Sequence, residues 1–265
     1  MSKIKYLYQI DNERLTRVLR GLSVGLPDAL YETKPLSYAA ALNPTRDDQI
    51  MKILNRYLRC NLPECIISDT YQNTRKINYI TEYIEQTDNV LDFGGGHGFI
   101  TSAVADKCRL PYIWLIDQQS YNITDSRIIS NCITIQDFAT WGLPFTDNFF
   151  DVTLCFMVLH HIKNPRDYIA ELSRCTKKYL IIHEHNCENL ADKYLLDLVH
   201  GLYMYVWKSN DYDLTAKFSQ FTAWYHPKKY FDNILSRDFI LVDEWVTNHT
   251  TKNYMQVWRK KSKDF

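Results

Sequence analysis

The chain of 265 residues balances 31 Lys and Arg against 31 Asp and Glu, for a formal net charge of zero, and 46% of its residues are hydrophobic. That composition excludes bulk disorder, which needs few apolar residues and a high net charge, and it lacks the overall basic excess of proteins that wrap long nucleic acid, although a local basic patch stays open. No apolar run approaches the roughly 20 residues of a bilayer span, and the opening Met1-Ser2-Lys3-Ile4-Lys5-Tyr6 has no apolar signal-peptide core, so the expected location is cytoplasmic. Seven cysteines without a CxxC pair fit reduced thiols better than a disulfide framework.

In chain order, residues 1–85 read as a helical N-terminal cap. Asp11–Arg20 places Leu15, Val18 and Leu19 on one face. Thr45-Arg46-Asp47-Asp48 resembles a capping box and opens a helix with Ile50, Ile53, Leu54, Tyr57 and Leu58 at helical spacing. After a break at Asn61-Leu62-Pro63, a second helix is expected over about Thr74–Gln86, carrying Ile77, Ile80 and Ile84.

Residues 86–265 read as one α/β domain. Short apolar runs at Val90-Leu91, Tyr112–Ile116, Cys132–Ile135, Val152–Met157 and Tyr179–Ile182 alternate with helical stretches. Runs of that length suit buried parallel strands of a doubly wound sheet. Asn164-Pro165 is a helix start, and a further helix is expected over 190–207. Phe239–Val246 and Asn253–Trp258 look like a final antiparallel pair, and Arg259-Lys260-Lys261-Ser262-Lys263 reads as a solvated tail, its sharper alternative being a phosphate contact.

Glycine carries the first functional signal. Average usage of about 7% would give roughly 19 glycines. The chain has 8, and four of them are Gly94, Gly95, Gly96 and Gly98. Asn89-Val90-Leu91-Asp92-Phe93-Gly94-Gly95-Gly96-His97-Gly98-Phe99-Ile100 is a strand, a glycine turn and a helix start, the arrangement that brings backbone N–H groups against a polar or anionic ligand. A P-loop is rejected because no Gly-Lys-Ser/Thr follows. The dinucleotide fingerprint needs Gly or Ala where Phe99 stands. What remains is D-x-G-x-G-x-G on Asp92, Gly94, Gly96 and Gly98.

With that loop, Ile116-Asp117, Gln136-Asp137, Leu143-Pro144-Phe145-Thr146-Asp147-Asn148-Phe149-Phe150-Asp151-Val152 and Val158-Leu159-His160-His161-Ile162, the chain resembles the class I S-adenosylmethionine-dependent methyltransferases, of the methyltransferase type 11 group. The resemblance covers about residues 85–185. It implies a Rossmann-like, seven-stranded, mostly parallel sheet with an antiparallel last strand pair, a helical N-terminal extension, and S-adenosylmethionine as cofactor. It also implies that Gly94, Gly96 and Gly98 line the methionine part and that Asp92 orients the loop or reaches the amino group through water. Asp117, with Gln118 beside it, would hold the ribose hydroxyls, Asp137 the adenine amino group, Phe138 would pack on the adenine ring, and Phe156 would face the methionine or the methyl.

The expected acceptor is a small organic molecule methylated at O, N or C. An RNA or cap acceptor and a non-catalytic cofactor-binding scaffold are the alternatives, and oligomeric state is left open. His160 and His185 are the candidate catalytic bases, because ligands of open α/β sheets bind beyond the carboxyl ends of the strands. The alternative is that both are packing residues, with Glu184 or Tyr225 as base or none needed. His183 and His185 alternate on one strand with Glu184 expected to point away; with no third ligand indicated, no metal site is expected. Tyr203, Tyr205, Trp207, Phe218, Phe221, Trp224 and Tyr225 are candidates for a lid or acceptor-pocket segment within 190–235, or for plain core.

Overall fold

The computed structural model describes residues 70–134, 142–189, 223–248 and 252–262, with 138, 139, 192, 193 and 196 besides. The helices expected before residue 70, Asp137, and the aromatics from Tyr203 to Phe221 lie outside the described residues. The chain divides into two compact units, one of Met1–Asp69, Asn186–Tyr225 and His249–Thr251, the other of Thr70–His185, His226–Asn248 and Lys252–Phe265. Of the described part of the first, Asn189 Oδ1 accepts from the Asp192 N–H at 2.9 Å, the Asp192 carboxylate accepts from the Glu188 N–H at 3.0 Å, and the Lys193 ammonium stands 5.4 Å from the centre of the Tyr225 ring.

The second unit carries a seven-stranded sheet. In chain order its elements are α1 (Thr70–Thr81), β1 (Val90–Phe93), α2 (Phe99–Cys108), β2 (Ile113–Asp117), β3 (Ile128–Cys132), β4 (Phe150–Phe156), a 3₁₀ turn (Leu159–His161), α3 (Pro165–Cys175), β5 (Thr176–His185), α4 (Lys228–Leu235), β6 (Phe239–Asn248) and β7 (Asn253–Lys260). The strand order is β3-β2-β1-β4-β5-β7-β6. β1 to β5 pair in parallel, and β7 lies antiparallel to both β5 and β6. This is the Rossmann-like arrangement expected, with its antiparallel last pair.

Alternation along the strands explains why both faces are covered. Val90, Val152, Leu154, Ile181, Met255 and Val257 join Ile80 of α1 and Val104 and Ala105 of α2 in one buried cluster. Their neighbours Leu91, Phe93, Cys155, Leu180, Ile182, Tyr254 and Trp258 join Ile169 and Leu172 of α3 and Phe231, Ile234 and Leu235 of α4 in another. A period of two sends consecutive apolar residues to opposite faces, so continuous apolar runs mark strands buried on both sides.

Three details depart from the sequence reading. The third strand is Ile128–Cys132, not Cys132–Ile135; Ile128 and Ile129 pair with Ile113 and Trp114, and an edge strand with half-exposed residues lacks the apolar run that marks a central one. α4 was not anticipated, although Phe231, Ile234 and Leu235 have helical spacing after Pro227; eight residues are too few for a period to stand out. Arg259 and Lys260 are the last residues of β7 and not tail, and the Lys260 ammonium donates to the Ser173 carbonyl and stands 4.8 Å from the Phe239 ring centre.

The segment from Gly142 to Asn148 is held by Arg174, which pairs with Glu171 of α3 and with Asp147 of the segment itself. The Arg174 guanidinium donates to the carbonyls of Phe145 at 2.7 Å and Leu143 at 3.1 Å, and to Glu171 Oε2 at 2.8 Å. Glu171 Oε2 in turn accepts from the Leu143 N–H at 2.9 Å. Gly142, at φ 67°, is required here, because a Cβ would stand 2.5 Å from Glu171 Oε2. Arg174→Leu should cost about 1–3 kcal/mol, the range for unpairing acceptors from a charged donor. Urea unfolding checks it; a lowered midpoint with unchanged slope is the expected result.

A second buried charge sits under the carboxyl end of β1. Asp92 is 2% exposed and accepts from the Thr101 hydroxyl of α2 at 2.6 Å. Burial raises its pKa to about 6; the Thr101 bond opposes this, and the Asp117 charge adds to it. The folded state therefore holds this proton more tightly than the unfolded chain. Stability from this group is present below pH 4 and is lost as pH rises from about 4 to 6, by about 3 kcal/mol for a shift of roughly 2 units. Asp92→Asn, which stays neutral, should gain stability relative to the natural protein across that window. The difference in unfolding free energy at pH 4 and pH 7 measures it, and a flat difference would contradict the shift.

Candidate functional site

β1 lies between β2 and β4, the point where strand order reverses, and ligands of open α/β sheets bind in the crevice beyond the carboxyl ends there. The glycine loop leaves β1 at that point. The Gly94 N–H donates to the Ile116 carbonyl at 2.6 Å, which ties the loop to the end of β2. Gly94, Gly96 and Gly98 have φ of 77°, 56° and 77°. They differ in what surrounds them. A Cβ at Gly94 would stand 2.2 Å from Val158 Cγ2, and one at Gly95 would stand 2.8 Å from Asp92 Oδ2. At Gly96 a Cβ would meet nothing within 4 Å. Gly94 and Gly95 are therefore demanded by packing, whereas Gly96 borders open space. Gly98, left-handed, is the N-cap of α2.

Asp117, half-buried at the end of β2, meets this loop. Its Oδ2 accepts from the Gly96 N–H at 3.0 Å and its Oδ1 from the Gln119 N–H at 3.1 Å. A carboxylate has about four acceptor positions, so two remain for the hydroxyls of a sugar. Gln118 is exposed beside it. Next to these the His97 ring stands 4.5 Å from the Tyr121 ring and 5.9 Å from that of Phe99, which is 72% exposed. Nothing in the sequence marked Tyr121, since it belongs to none of the recognised motifs.

Two of the expected aromatic residues also have partners within the protein. Phe138 is buried, and its ring is stacked on that of Tyr168 at 3.8 Å and 3° within the core, so at least one face is taken by the protein itself. Phe156 is half-buried, packs against the cluster containing Ile80 and Val104, and meets the His183 ring edge-on at 6.1 Å.

The histidines form the second part of the site. His160, in the turn after β4, is 1% exposed, and Glu184 and His185, at the end of β5, are 1% and 3% exposed. Glu184 Oε1 lies 2.6 Å from His160 Nδ1 and accepts from the His185 N–H at 2.9 Å, while Oε2 accepts from the His160 N–H at 3.2 Å. The His160 and His185 rings stand 4.9 Å apart. His185 Nδ1 lies 2.6 Å from Asn253 Oδ1 of β7. His183 does not join this group; its Nε2 lies 2.9 Å from the Thr247 hydroxyl. The pair suggested by alternation, His183 with His185, is thus replaced by His160 with Glu184 and His185.

Electrostatics separates these groups. Burial pushes the Glu184 carboxyl up, but the His160 charge and hydrogen bond outweigh it and hold it well below the ordinary carboxylate range. Burial, then the His160 charge, pulls His185 down to about 3, and burial with the Lys76 charge pulls His183 down as well. One nitrogen or oxygen from each of His160, Glu184 and His185 lies within 4.8 Å of the others, a donor set that could suit a metal ion. Two ligands of a tetrahedral metal at about 2.1 Å would be separated by roughly 3.4 Å. The 2.6 Å between His160 Nδ1 and Glu184 Oε1 is the length of a short hydrogen bond instead. Among the described residues no helix is long and apolar enough to cross a membrane.

Known proteins agree with this architecture. Residues 91–182 match the family model described as "Methyltransferase domain". An uncharacterized methyltransferase of Schizosaccharomyces pombe is 30% identical over 111 residues, which are 37% of this chain and only 40% of that relative's length. A chain from the complex of the Haloferax volcanii Trm112 methyltransferase activator with a methyltransferase superposes with a TM-score of 0.51 at 13% identity, over 73% of this chain and 92% of that one. The PH0226 protein of Pyrococcus horikoshii OT3 gives 0.50 at 15% identity, over 73% and 92%. At such identities these two likenesses speak for the fold alone. The family match falls on the strands and loops that build the crevice, so residues 91–182 are similar to methyltransferase domains just where a ligand would sit.

Proposed function

We propose that the chain transfers a methyl group from S-adenosylmethionine to a small organic acceptor at O, N or C. The observation that carries the reading is the joint between Gly96 and Asp117: a glycine whose side-chain position is open space, its N–H fastened to a carboxylate with acceptor positions to spare. A loop that admits a ligand to within van der Waals distance of its backbone, with a ribose acid beside it, suits a nucleoside bearing a polar chain. When bound, S-adenosylmethionine supplies a sulfonium-activated methyl group and leaves as a neutral thioether. The chain's own part is orientation and proton handling.

In this reading Gly94 and Asp92 hold the loop in shape, Gly96 admits the cofactor, and Asp117 takes the ribose. Asp137 remains the proposed partner of the adenine amino group. Of the two candidate bases, His160 is the one proposed to take a proton. His185, depressed to about 3, is too weakly basic near neutrality, and its ring is tied to Asn253. A net charge of zero favours a small acceptor over RNA.

The first experiment is calorimetric titration with S-adenosylmethionine, followed by transfer of tritiated methyl into lysate split into metabolites, protein and RNA. Label in the metabolite fraction is the expected outcome. Label in RNA alone would overturn the small-acceptor reading, and failure to bind the cofactor would overturn the function. Asp117→Ala should weaken binding roughly tenfold to 150-fold, the equivalent of about 1.5–3 kcal/mol for hydrogen bonds to a charged acceptor, while the fold survives.

Gly96→Ala and Gly94→Ala should part company. The first introduces a methyl group into open space at positive φ, so the protein should fold with a cost of about 1 kcal/mol and lose cofactor affinity. The second collides with Val158 and should lose stability before anything else. Melting temperature and cofactor affinity measured on both variants separate packing from ligand contact.

A further inference from the structure

The chain that leaves β2 brings a phenol back to the glycine loop. Asp117 ends β2; its Oδ1 accepts from the Gln119 N–H at 3.1 Å, and its Oδ2 accepts from the Gly96 N–H at 3.0 Å. A little further on, the Tyr121 ring lies against His97, the residue that follows Gly96, with ring centres 4.5 Å apart. Tyr121 is thus tied to the crevice from both sides, through the chain to Asp117 and through ring contact to the glycine loop. Between these ties the side-chain position of Gly96 is open space.

The protein itself makes little use of the Tyr121 hydroxyl. Among the described residues its partner is Gln119 Oε1 at 3.4 Å. A good O–H···O bond spans about 2.5–3.0 Å. The ring is half-buried, whereas His97 and Gln119 are exposed. Burial raises the pKa of the phenol and the Asp117 charge adds to it, so the group keeps its proton near neutrality and can donate.

A donor is what this place needs. An ionised carboxylate can only accept, so Asp117 can take the protons of a sugar diol and nothing else. Each sugar oxygen that gives its proton to Asp117 still has lone pairs, which want a donor. The N–H groups of Gly96 and Gln119 are already given to Asp117. The Tyr121 O–H supplies the missing kind of partner.

We propose that Tyr121 is a specificity-determining residue of the crevice: its hydroxyl donates to the ribose diol whose protons Asp117 accepts, so that the site takes a ribonucleoside and rejects the deoxy forms. This rests on the S-adenosylmethionine reading and deepens it, adding a residue that lies outside the recognised motifs. An acid and a phenol on one diol discriminate more sharply than the acid alone. A missing hydroxyl then leaves both a carboxylate oxygen and a phenol without their partner.

A Tyr121 that only packs on His97 would need its ring and not its oxygen. Tyr121→Phe keeps the ring and removes the oxygen, so it separates the two roles. The probes are S-adenosylhomocysteine, the thioether product, and its 2′-deoxy and 3′-deoxy forms, titrated calorimetrically. In the natural protein at least one deoxy form should bind about tenfold more weakly than the parent. Tyr121→Phe should keep its melting temperature and bind the parent roughly three- to tenfold more weakly, the worth of one neutral hydrogen bond. Its affinity for the deoxy form that lacks the contacted hydroxyl should stay where it was, so the discrimination shrinks by the same factor. A folded Tyr121→Phe with unchanged affinity for the parent, or one weakened equally toward all three probes, overturns the proposal.

A second measurement uses the natural protein and stands even if the variant does not fold. In a chain deuterated except at tyrosine, the ribose protons of bound S-adenosylhomocysteine should show nuclear Overhauser contacts to a tyrosine ring; their absence overturns the proposal. The two readings stay distinguishable. A natural protein that binds neither S-adenosylmethionine nor S-adenosylhomocysteine sinks the function and this inference with it, whereas intact binding that ignores the loss of the Tyr121 hydroxyl sinks only the role of Tyr121.

Discussion

The pairing of β1 with β2 on one side and β4 on the other determines where everything else in the site can be. Asp92 pairs with Leu115 and with Leu154, so the ends of three parallel strands finish at one level. The chain must leave β1 there without filling the gap that the reversal of strand order opens, and side chains would fill it. Glycine at 94 and 95 answers the packing of Val158 and Asp92, and glycine at 96 leaves the space unfilled. The same level brings Asp117 to the loop and the Leu159–His161 turn to the end of β5. The site follows from the register of the central strands, and the residues on it come from four different segments.

The two halves of this crevice solve the problem of buried charge in opposite ways. At Asp92 burial raises the pKa, the like-charged Asp117 adds to it, and the single Thr101 hydroxyl bond is too little to reverse it. Glu184 has three N–H partners and an imidazole, so its proton is driven off despite equal burial. Burial alone cannot distinguish them; the count and kind of donors does. Asp92, at about 6, is still mostly ionised at neutral pH but gives up its proton at higher pH than Glu184 does.

The features that could be read from the amino acids are those written locally. Val90–Phe93 and the glycines after it announce a strand and a turn because glycine at positive φ is a local requirement. Asn164-Pro165 announces α3 because proline fits the first turn of a helix. β3 escaped because an edge strand needs apolar residues on fewer sides, and Ile128-Ile129 is too short a run to stand out. Glu184 was placed by alternation on the face away from His183, and alternation says nothing of the turn after β4 that reaches it from 24 residues earlier. Asn253 is 68 residues from His185 and could not have been paired with it without the β5–β7 register. Phe138 shows the converse: a residue matching a family position whose ring is nonetheless stacked within the core on Tyr168.

The sheet's antiparallel end, far from the glycine loop, reaches the histidines at the end of β5. β7 pairs with β5 from Tyr179 to His185, and the last of those pairs puts Asn253 opposite His185. Asn253 Oδ1 holds His185 by Nδ1, and burial with the His160 charge keeps His185 neutral. A neutral His185 beside the pair matters because a second cation there would compete for the Glu184 carboxylate and repel a protonated His160. Thr247 of β6 does the same service one step back, engaging His183, which burial and Lys76 also keep neutral. The final two strands, which carry none of the cofactor motifs, thus supply hydrogen-bond partners to His183 and His185. The parallel half shapes the crevice beyond β1, and the antiparallel end packs against and hydrogen-bonds the two histidines of β5, which burial keeps neutral.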